Sequence, residues 1–127
     1  HPVRVSVAVG KWLPLMHTAS GYIFLSSLSS DALKEILISE GHSSLSDSDF
    51  SSLKEKLGKI HASGICLEQE EYEEGVVNIA VPIYKYTGRP IAAICVSTPV
   101  QRAQEELLNK MTEKLKKISR EISSLPL

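Results

Sequence analysis

Alternating hydrophobic and polar positions mark three stretches of the chain as β-strands. Residues Val3–Val9 alternate valine with small or charged residues, which predicts a strand with one apolar face. Two later stretches, VVNIAVPIY at Val76–Tyr84 and IAAICVSTP at Ile91–Pro99, flank the turn sequence YTGRP. They predict a β-hairpin. The segment Ile65–Leu67 predicts a further short strand.

A period of three to four residues predicts two short helices in the first third of the chain. Thr18 is predicted to cap a helix that runs to about Leu28. After a break at two serines, a second helix is predicted over Ala32–Ser39, and Gly41 is expected to close it from the C′ position.

Two longer helices follow. The first is predicted to start at a cap formed by Asp47 or Ser48 and to end at Gly64. Its apolar face is predicted to comprise Phe50, Leu53, Leu57, Ile60 and His61. The last helix is predicted from Val100 to about Ser124. Its apolar stripe is predicted to comprise Leu107, Met111, Leu115, Ile118, Ile122 and Leu125.

This order of elements predicts an α+β fold, in which an antiparallel sheet is flanked by helices and followed by a long amphipathic C-terminal helix. A chain of 127 residues is long enough for one domain with its own core. The net charge of −1, with dispersed basic residues, argues against a nucleic-acid groove in this segment, because phosphate binding needs concentrated positive charge.

The remaining bulk features narrow the class of protein. No apolar run reaches the roughly 20 residues that a membrane-spanning helix needs. Cys66 and Cys95 lie far apart and fit no metal spacing, so we expect reduced thiols in a cytoplasmic protein and no metal or cofactor. The chain begins at His1 without an initiator methionine, which leads us to expect a fragment of a longer protein.

The stretch LPLMHTASGYIFLSSL, Leu13–Leu28, contains the first candidate site. If Thr18 caps a helix, then Ala19, Ser20 and Gly21 form its first turn, where backbone N–H groups lack intrahelical acceptors and face anions. Their small side chains would let a carboxylate approach the backbone. The same small residues could instead permit close packing of the helix on a sheet, and the residue types alone leave both interpretations open.

A second candidate lies on the sheet. Alternation places Cys95 and Ser97 on one face of their strand, and Asn78 interrupts an otherwise apolar strand. A buried hydrogen bond left unmade costs about 1–3 kcal/mol, so Asn78 needs partners. Either the backbone or Ser97 satisfies it, or the three residues form the polar wall of a cavity. Glu68 starts an acidic run, most of which is expected to be solvated surface.

The ordered set of motifs resembles the effector-binding domain of the IclR-type transcriptional regulators. VGKWLPLMHTASGYIFLSSL is similar to their G…PLH-T-A-x-G-K-A-x-L-A signature. The stretch from LKEKLGKIHASGICLEQEEYEEG to VVNIAVPIYKYTGRPIAAICVSTP resembles their core with its D-x-E-E and A-A-i-s-v-S-x-P segments. The resemblance implies a GAF/PAS-like sheet covered by helices. It matches only the C-terminal domain, so residues 1–127 are expected to be an effector-binding domain without its start and without the helix-turn-helix domain.

The resemblance also implies the functional residues. It places effector-contacting positions at Ala19, Ser20, Glu68, Asn78, Cys95 and Ser97, and the helix-start argument adds Gly21 to this set. The family usually has lysine where Tyr22 stands, aspartate where Glu68 stands, and a small or thiol side chain where Asn78 stands. These departures concern the identity of the ligand more than the location of the site.

The function implied is sensing of a small organic acid in the cytoplasm by a homodimer or homotetramer that contacts DNA only through the missing N-terminal domain. One alternative is a dimerisation module without a ligand. Another is a small cysteine-dependent enzyme, for which Cys95 and His17 are the best available nucleophile and base. We expect no catalysis, because Cys95 lies in mid-strand and the histidines show no ligand spacing.

Overall fold

The computed structural model describes residues 9–85 and 88–126, which form four helices and three strands. The helices are α1 (Ala19–Leu25), α2 (Ser30–Ser39), α3 (Asp47–Ser63) and α4 (Glu105–Ser123). The strands are β1 (Cys66–Gln69), β2 (Val76–Tyr84) and β3 (Pro90–Pro99). The strands form an antiparallel sheet in the order β1-β2-β3, so the predicted α+β fold is confirmed.

The two faces of this sheet are covered by different helices. On one face, Cys66, Ala80 and Ala93 pack against apolar side chains from α1, α2 and α3. On the other face, Ile79 and Val81 pack against Leu115 of α4. This division confirms the faces that the period of two predicts for β2 and β3. It also places every polar residue that shares a face with Ala80 or Ala93 on the side of α1.

Helix α1 starts as predicted but ends earlier. The hydroxyl of Thr18 accepts a hydrogen bond from the Gly21 amide at 3.1 Å, which confirms the N-cap. The helix ends at Leu25 rather than about Leu28. Two serine hydroxyls explain the early end, because Ser26 donates to the Ile23 carbonyl and Ser27 to the Phe24 carbonyl. These carbonyls thus have hydroxyl donors in place of helical N–H groups.

Helix α3 begins one residue before the predicted start. Ser46, and not Asp47 or Ser48, is the N-cap, since its hydroxyl accepts a hydrogen bond from the Asp49 amide at 3.0 Å. Asp47 and Asp49 then lie in the first turn, where carboxylates complement the helix dipole. Gly64 adopts the left-handed conformation at φ 69° and ends the helix as predicted.

The predicted apolar face of α3 is only partly correct. Leu53, Leu57 and Ile60 are buried and Phe50 is half-buried, but His61 is exposed. His61 directly follows Ile60 in sequence. One residue corresponds to a rotation of about 100° around a helix with 3.6 residues per turn, which carries the His61 side chain away from the core.

Helix α2 ends as the sequence predicts, because Gly41 follows its C-cap with a φ of 86°.

The last helix is interrupted, which corrects the prediction of one helix from Val100. A 3-10 turn over Val100–Arg102 comes first, and α4 begins only at Glu105. The predicted stripe is also partly wrong, because Leu107, Ile118 and Leu125 are exposed. The side chains of α4 that pack on the sheet are Leu108, Met111 and Leu115. The spacing of three and four residues forms a narrower seam than the one predicted.

Several predicted features lie outside the described residues. The strand predicted over Val3–Val9 lies outside the described residues up to position 8, and Val9 is in an exposed turn. Tyr86 and Thr87 of the hairpin turn are also outside, whereas Gly88 has the positive φ of 74° expected of a turn glycine. The short strand β1 begins at Cys66, one residue after the predicted start. Within the described ranges, no helix is long and apolar enough to cross a membrane.

Candidate functional site

A row of three polar residues crosses the sheet on the face that α1 covers. Glu68 of β1 is paired with Asn78 of β2, and Asn78 is paired in turn with Ser97 of β3. Directly paired side chains on one face of a sheet lie close enough to interact. The Asn78 amide nitrogen donates to Glu68 Oε1 at 2.9 Å, and the Ser97 hydroxyl donates to Asn78 Oδ1. The polar row is therefore one hydrogen-bonded unit.

The row runs from a buried end to a more open one. Glu68 is only 1% exposed, whereas Asn78 and Ser97 are half-buried. Glu68 Oε2 accepts a second hydrogen bond, from the backbone amide of Glu71 at 3.0 Å. Each carboxylate oxygen thus has a donor, which a buried carboxylate requires. Glu68 is therefore not part of the solvated surface expected for most of its acidic run. The hydrogen-bond partners of Asn78 are the side chains of Glu68 and Ser97, not the backbone.

Cys95 and Ser20 extend this unit toward α1. The Cys95 sulfur lies 3.9 Å from Asn78 Oδ1, and the residue as a whole is exposed. Desolvation of the sulfur raises the pKa of the Cys95 thiol, and the nearby hydroxyls of Ser20 and Ser97 act in the opposite direction. Four of the seven predicted site residues, namely Glu68, Asn78, Cys95 and Ser97, are therefore linked by these contacts, and Ser20 lies near the Cys95 thiol.

Gly21 has a different role from the one predicted. Its amide is not bare, because it donates to the Thr18 hydroxyl. A Cβ atom on Gly21 would lie 2.0 Å from the Leu15 carbonyl oxygen and 2.5 Å from Thr18 Oγ1. Thr18 also donates to the Pro14 carbonyl at 2.7 Å, which ties the incoming chain to the start of α1. Gly21 thus permits close packing at the start of α1, where Ala19 is also buried and Ser20 is half-buried.

A second polar cluster surrounds the Glu71 carboxylate, and the sequence analysis missed it. Tyr22 donates its hydroxyl to Glu71 Oε1 at 2.7 Å, and Lys56 Nζ pairs with Oε2 at 2.8 Å. His17 Nδ1 lies 3.4 Å from Oε1. The Lys56 ammonium also lies 4.1 Å from the centroid of the Tyr22 ring, within the range of a cation–π contact. Tyr22, the departure from the family pattern, is thus the buried end of this cluster.

The pKa values in this cluster follow from its contacts. Burial raises the pKa of Tyr22 to about 12, and its hydrogen bond to Glu71 acts in the same direction. Burial also raises the pKa of Glu71, but hydrogen bonds from Lys56, Tyr22 and His17 outweigh it and hold that pKa below its ordinary value. Glu71 is therefore the ionised centre of the cluster. No signal in the sequence links it to Tyr22 or Lys56, which lie 49 and 15 residues away.

The catalytic alternative receives no support from these contacts. His17 faces Glu71, whereas Cys95 has Asn78 and two serine hydroxyls as neighbours. A nucleophilic cysteine needs a base or a lowered pKa, and neither is found at Cys95. Cys66 is buried, and burial raises the pKa of its thiol to about 12. Over residues 9–85 and 88–126, no cluster of three metal-ligating side chains occurs.

The chain is thus a small α+β domain with a hydrogen-bonded polar row on the sheet face that α1 covers. A family model described as "Bacterial transcriptional regulator IclR C-terminal" matches residues 1–124. The chain therefore belongs to the IclR C-terminal family, and the resemblance on which the sequence analysis relied is confirmed.

Individual relatives agree with this assignment. The Pca regulon regulatory protein of Pseudomonas putida is 33% identical over 111 residues, covering 85% of this chain and 38% of that protein. The HTH-type transcriptional regulator KdgR of Escherichia coli is 30% identical over 125 residues, covering 96% and 48% respectively. The chain thus spans less than half the length of these two relatives. Both are named as regulators and not as enzymes.

One solved structure adds a bound molecule. A double mutant of the inducer-binding domain of the PobR transcription factor from Acinetobacter, in a complex with 3-hydroxybenzoic acid, is 30% identical to this chain. The two superpose with a TM-score of 0.76, over 87% of this chain and 68% of that one. The likeness extends the family assignment from the sequence to the three-dimensional arrangement of the elements.

Proposed function

We propose that this chain is the effector-sensing and oligomerisation domain of a bacterial transcriptional regulator, and that it binds a small organic acid between the start of α1 and the sheet. The hydrogen-bonded row Glu68–Asn78–Ser97 carries this proposal. Polar side chains that only stabilise a core are expected to end in buried groups, whereas this row ends at a half-buried hydroxyl beside an exposed thiol.

The proposed binding mode uses both elements of the site. Ser97 and Cys95 would contact polar groups of the ligand from the sheet, and the first-turn amides of Ala19 and Ser20 would face its carboxylate. The PobR domain, which was solved with a hydroxybenzoic acid, supports an acid as the ligand class. A six-atom acid is limited to roughly −9 kcal/mol, close to micromolar affinity, which suits a metabolite sensor.

Regulation would require the acid to bind two arrangements of the whole protein with different affinity. We place the protein in the cytoplasm, with DNA contacted by a separate domain and with two or four copies assembled partly through this one. Exposed apolar residues on α4 and β3, among them Leu107, Ile118 and Ile91, support assembly through this domain. A dimerisation module without a ligand would use the same surface, so ligand binding itself must be tested.

A thermal-shift screen with small aliphatic, sugar and aromatic acids tests the proposal. A ligand at 100 times its Kd should stabilise the folded chain by about 2.7 kcal/mol. Ser97→Ala should weaken that effect while leaving the unliganded melting temperature nearly unchanged. Ser39→Ala, which removes an exposed hydroxyl on α2, should leave the stabilisation by the ligand unchanged. Acids that stabilise the wild type and the Ser97 variant equally would exclude the polar row as the site.

A further inference from the structure

We propose that the open end of the row accepts a hydrogen bond from the ligand, so that the site prefers a hydroxy acid to the keto acid with the same carbon skeleton. This inference rests on the proposed function, since it specifies which acids the same site binds. It follows from the direction in which each hydrogen bond of the row must run.

The direction is fixed at the buried end. A carboxylate has only acceptors, and a backbone amide has only a donor. Glu68 Oε2 is engaged by the Glu71 N–H, so Glu68 Oε1 is the acceptor that faces β2. Asn78 must therefore turn its NH2 group toward Glu68. The side-chain amide of Asn78 has one orientation that satisfies this neighbour, and the opposite one would set two oxygens against each other.

The orientation of Asn78 then dictates that of the next residue. With its NH2 group toward Glu68, Asn78 presents its carbonyl oxygen Oδ1 to β3. Ser97 donates its hydroxyl hydrogen to this oxygen, and the Cys95 thiol is directed at the same atom. A hydroxyl has only one hydrogen, so Ser97 has none left for a ligand.

The Ser97 hydroxyl oxygen, which is half-buried, can therefore only accept a hydrogen bond from a ligand, through its lone pairs. A hydroxyl group on the ligand can donate into them, whereas a ketone oxygen at the same place would meet another acceptor. A site whose polar groups are paired by a ligand hydroxyl rejects the analogue that cannot donate. A factor of ten in affinity corresponds to about 1.4 kcal/mol, which is typical of the penalty for one acceptor left unpaired. We expect the hydroxy acid to bind about tenfold more tightly.

Isothermal titration of the 127-residue chain with two matched pairs of acids tests this preference. Lactate is compared with pyruvate, and mandelate with phenylglyoxylate. The two acids of each pair have the same carbon skeleton and differ in whether the α carbon carries a hydroxyl or a keto oxygen. The hydroxy acid of a pair should bind about tenfold more tightly. Ser97→Ala should reduce that ratio to near one, and the control Ser39→Ala should leave it unchanged.

A second variant should abolish the preference. In Glu68→Gln, the oxygen of the new amide at position 68 must face the Glu71 N–H, so its NH2 group faces Asn78. Asn78 should then rotate and donate to Ser97, which frees the serine hydrogen for the ligand. The keto acid should gain affinity, whereas the hydroxy acid, whose hydroxyl oxygen can also accept, should keep most of its own, so that the ratio of the two affinities approaches one. Because the substitution preserves shape and hydrogen-bond number, the fold should persist, which circular dichroism checks.

The outcomes separate the two proposals. If an acid binds and Ser97→Ala weakens it, but the keto acid binds as tightly as the hydroxy acid, the proposed function stands and the inference is wrong. An unchanged preference in Glu68→Gln would overturn the inference in the same way. If neither pair binds in a manner that depends on Ser97, both the site and the inference are rejected.

Discussion

Glu68 and Glu71 are three residues apart in one acidic run, yet they lie in contrasting environments. Glu68 is buried and held by two neutral donors, the Asn78 amide and the Glu71 backbone N–H. The Glu71 carboxylate is about 30% exposed and is held by Lys56, Tyr22 and His17. One carboxylate faces the candidate site, and the other anchors the turn that supports it.

This difference shows how a buried carboxylate can be maintained without a cation beside it. The Glu71 cluster fixes the position of residue 71, and the backbone of that residue then supplies a donor to Glu68. Charge pairing thus remains near solvent, where it costs little desolvation, while neutral dipoles serve the buried site. Glu71 is therefore a positioning residue, and Glu68 belongs to the candidate site.

The largest expected effect is that of Glu68→Ala. It leaves the Asn78 amide and the Glu71 N–H without acceptors in the interior, and each unpaired group costs about 1–3 kcal/mol. We expect the free energy of unfolding, measured with urea, to fall by about 2–5 kcal/mol. Glu74→Ala, in the exposed part of the same run, should change it by no more than about 0.5 kcal/mol. Similar losses of unfolding free energy in the two variants would show that Glu68 is no more important for stability than an exposed glutamate of the same run.

The next effect concerns the buried end of the Glu71 cluster. Tyr22→Phe keeps the ring but removes the hydroxyl that donates to Glu71, and we expect a loss of about 1–2 kcal/mol. A double-mutant cycle with Glu71→Gln should show that most of this loss depends on Glu71. Tyr72→Phe, at an exposed tyrosine, serves as the control. Independent, additive effects of the two changes would show that the hydrogen bond contributes nothing.

An alkaline titration should distinguish Tyr22 from the other tyrosines. Its pKa is raised from 10.0 to about 12, so the folded state holds the proton more tightly than the unfolded state. Stability from this group is complete below pH 10 and is lost as the pH rises toward 12. Phenolate absorbance should contain a component that titrates near pH 12 and that is absent in Tyr22→Phe. Uniform titration near pH 10 would contradict the burial of this hydroxyl.

The smallest effect is expected at the solvent side of the cluster. Lys56→Gln should lower stability by about 0.5 kcal/mol, and less at high salt, because the ion pair is partly exposed. The pKa of Glu71 is lowered in the folded state, so this stability is present above pH 4.5 and lost as the pH falls through the lowered value. Lys59→Gln, in a more exposed pair, is the control. A loss independent of pH and salt would point to packing instead.

The sequence predicts local structure here better than long-range contacts. Periods of two and glycines such as Gly64 identify β2, β3 and the helix ends, because these features depend on neighbouring residues. The period cannot decide between the adjacent Leu107 and Leu108 for the packed side of α4, since either begins a stripe with Met111. Only packing against β2 and β3 makes that choice.

The candidate site shows the same limit. Alternation groups Cys95 with Ser97, but only the pairing register of three strands places Glu68 and Asn78 in the same row. The resemblance to the IclR family supplies Glu68 before the structure does. Nothing local distinguishes Glu71 from the other glutamates of its run, because its partners come from distant helices. The packing role of Gly21 likewise depends on the path of the chain at Leu15.

The central claim is that the polar row on the sheet is where a small acid binds. A second possible binding site for an acid is a groove of about 320 Å³ between α3 and β1, whose lining includes Lys56, Lys59 and Leu67. Nuclear magnetic resonance of the 15N-labelled chain, titrated with lactate, mandelate and 3-hydroxybenzoate, separates the two. The account predicts that the amide signals of Ser20, Cys95 and Ser97 shift saturably and most strongly. Saturable shifts confined to the amides around Lys56 and Lys59, or no saturable shift with any of the acids, would contradict it.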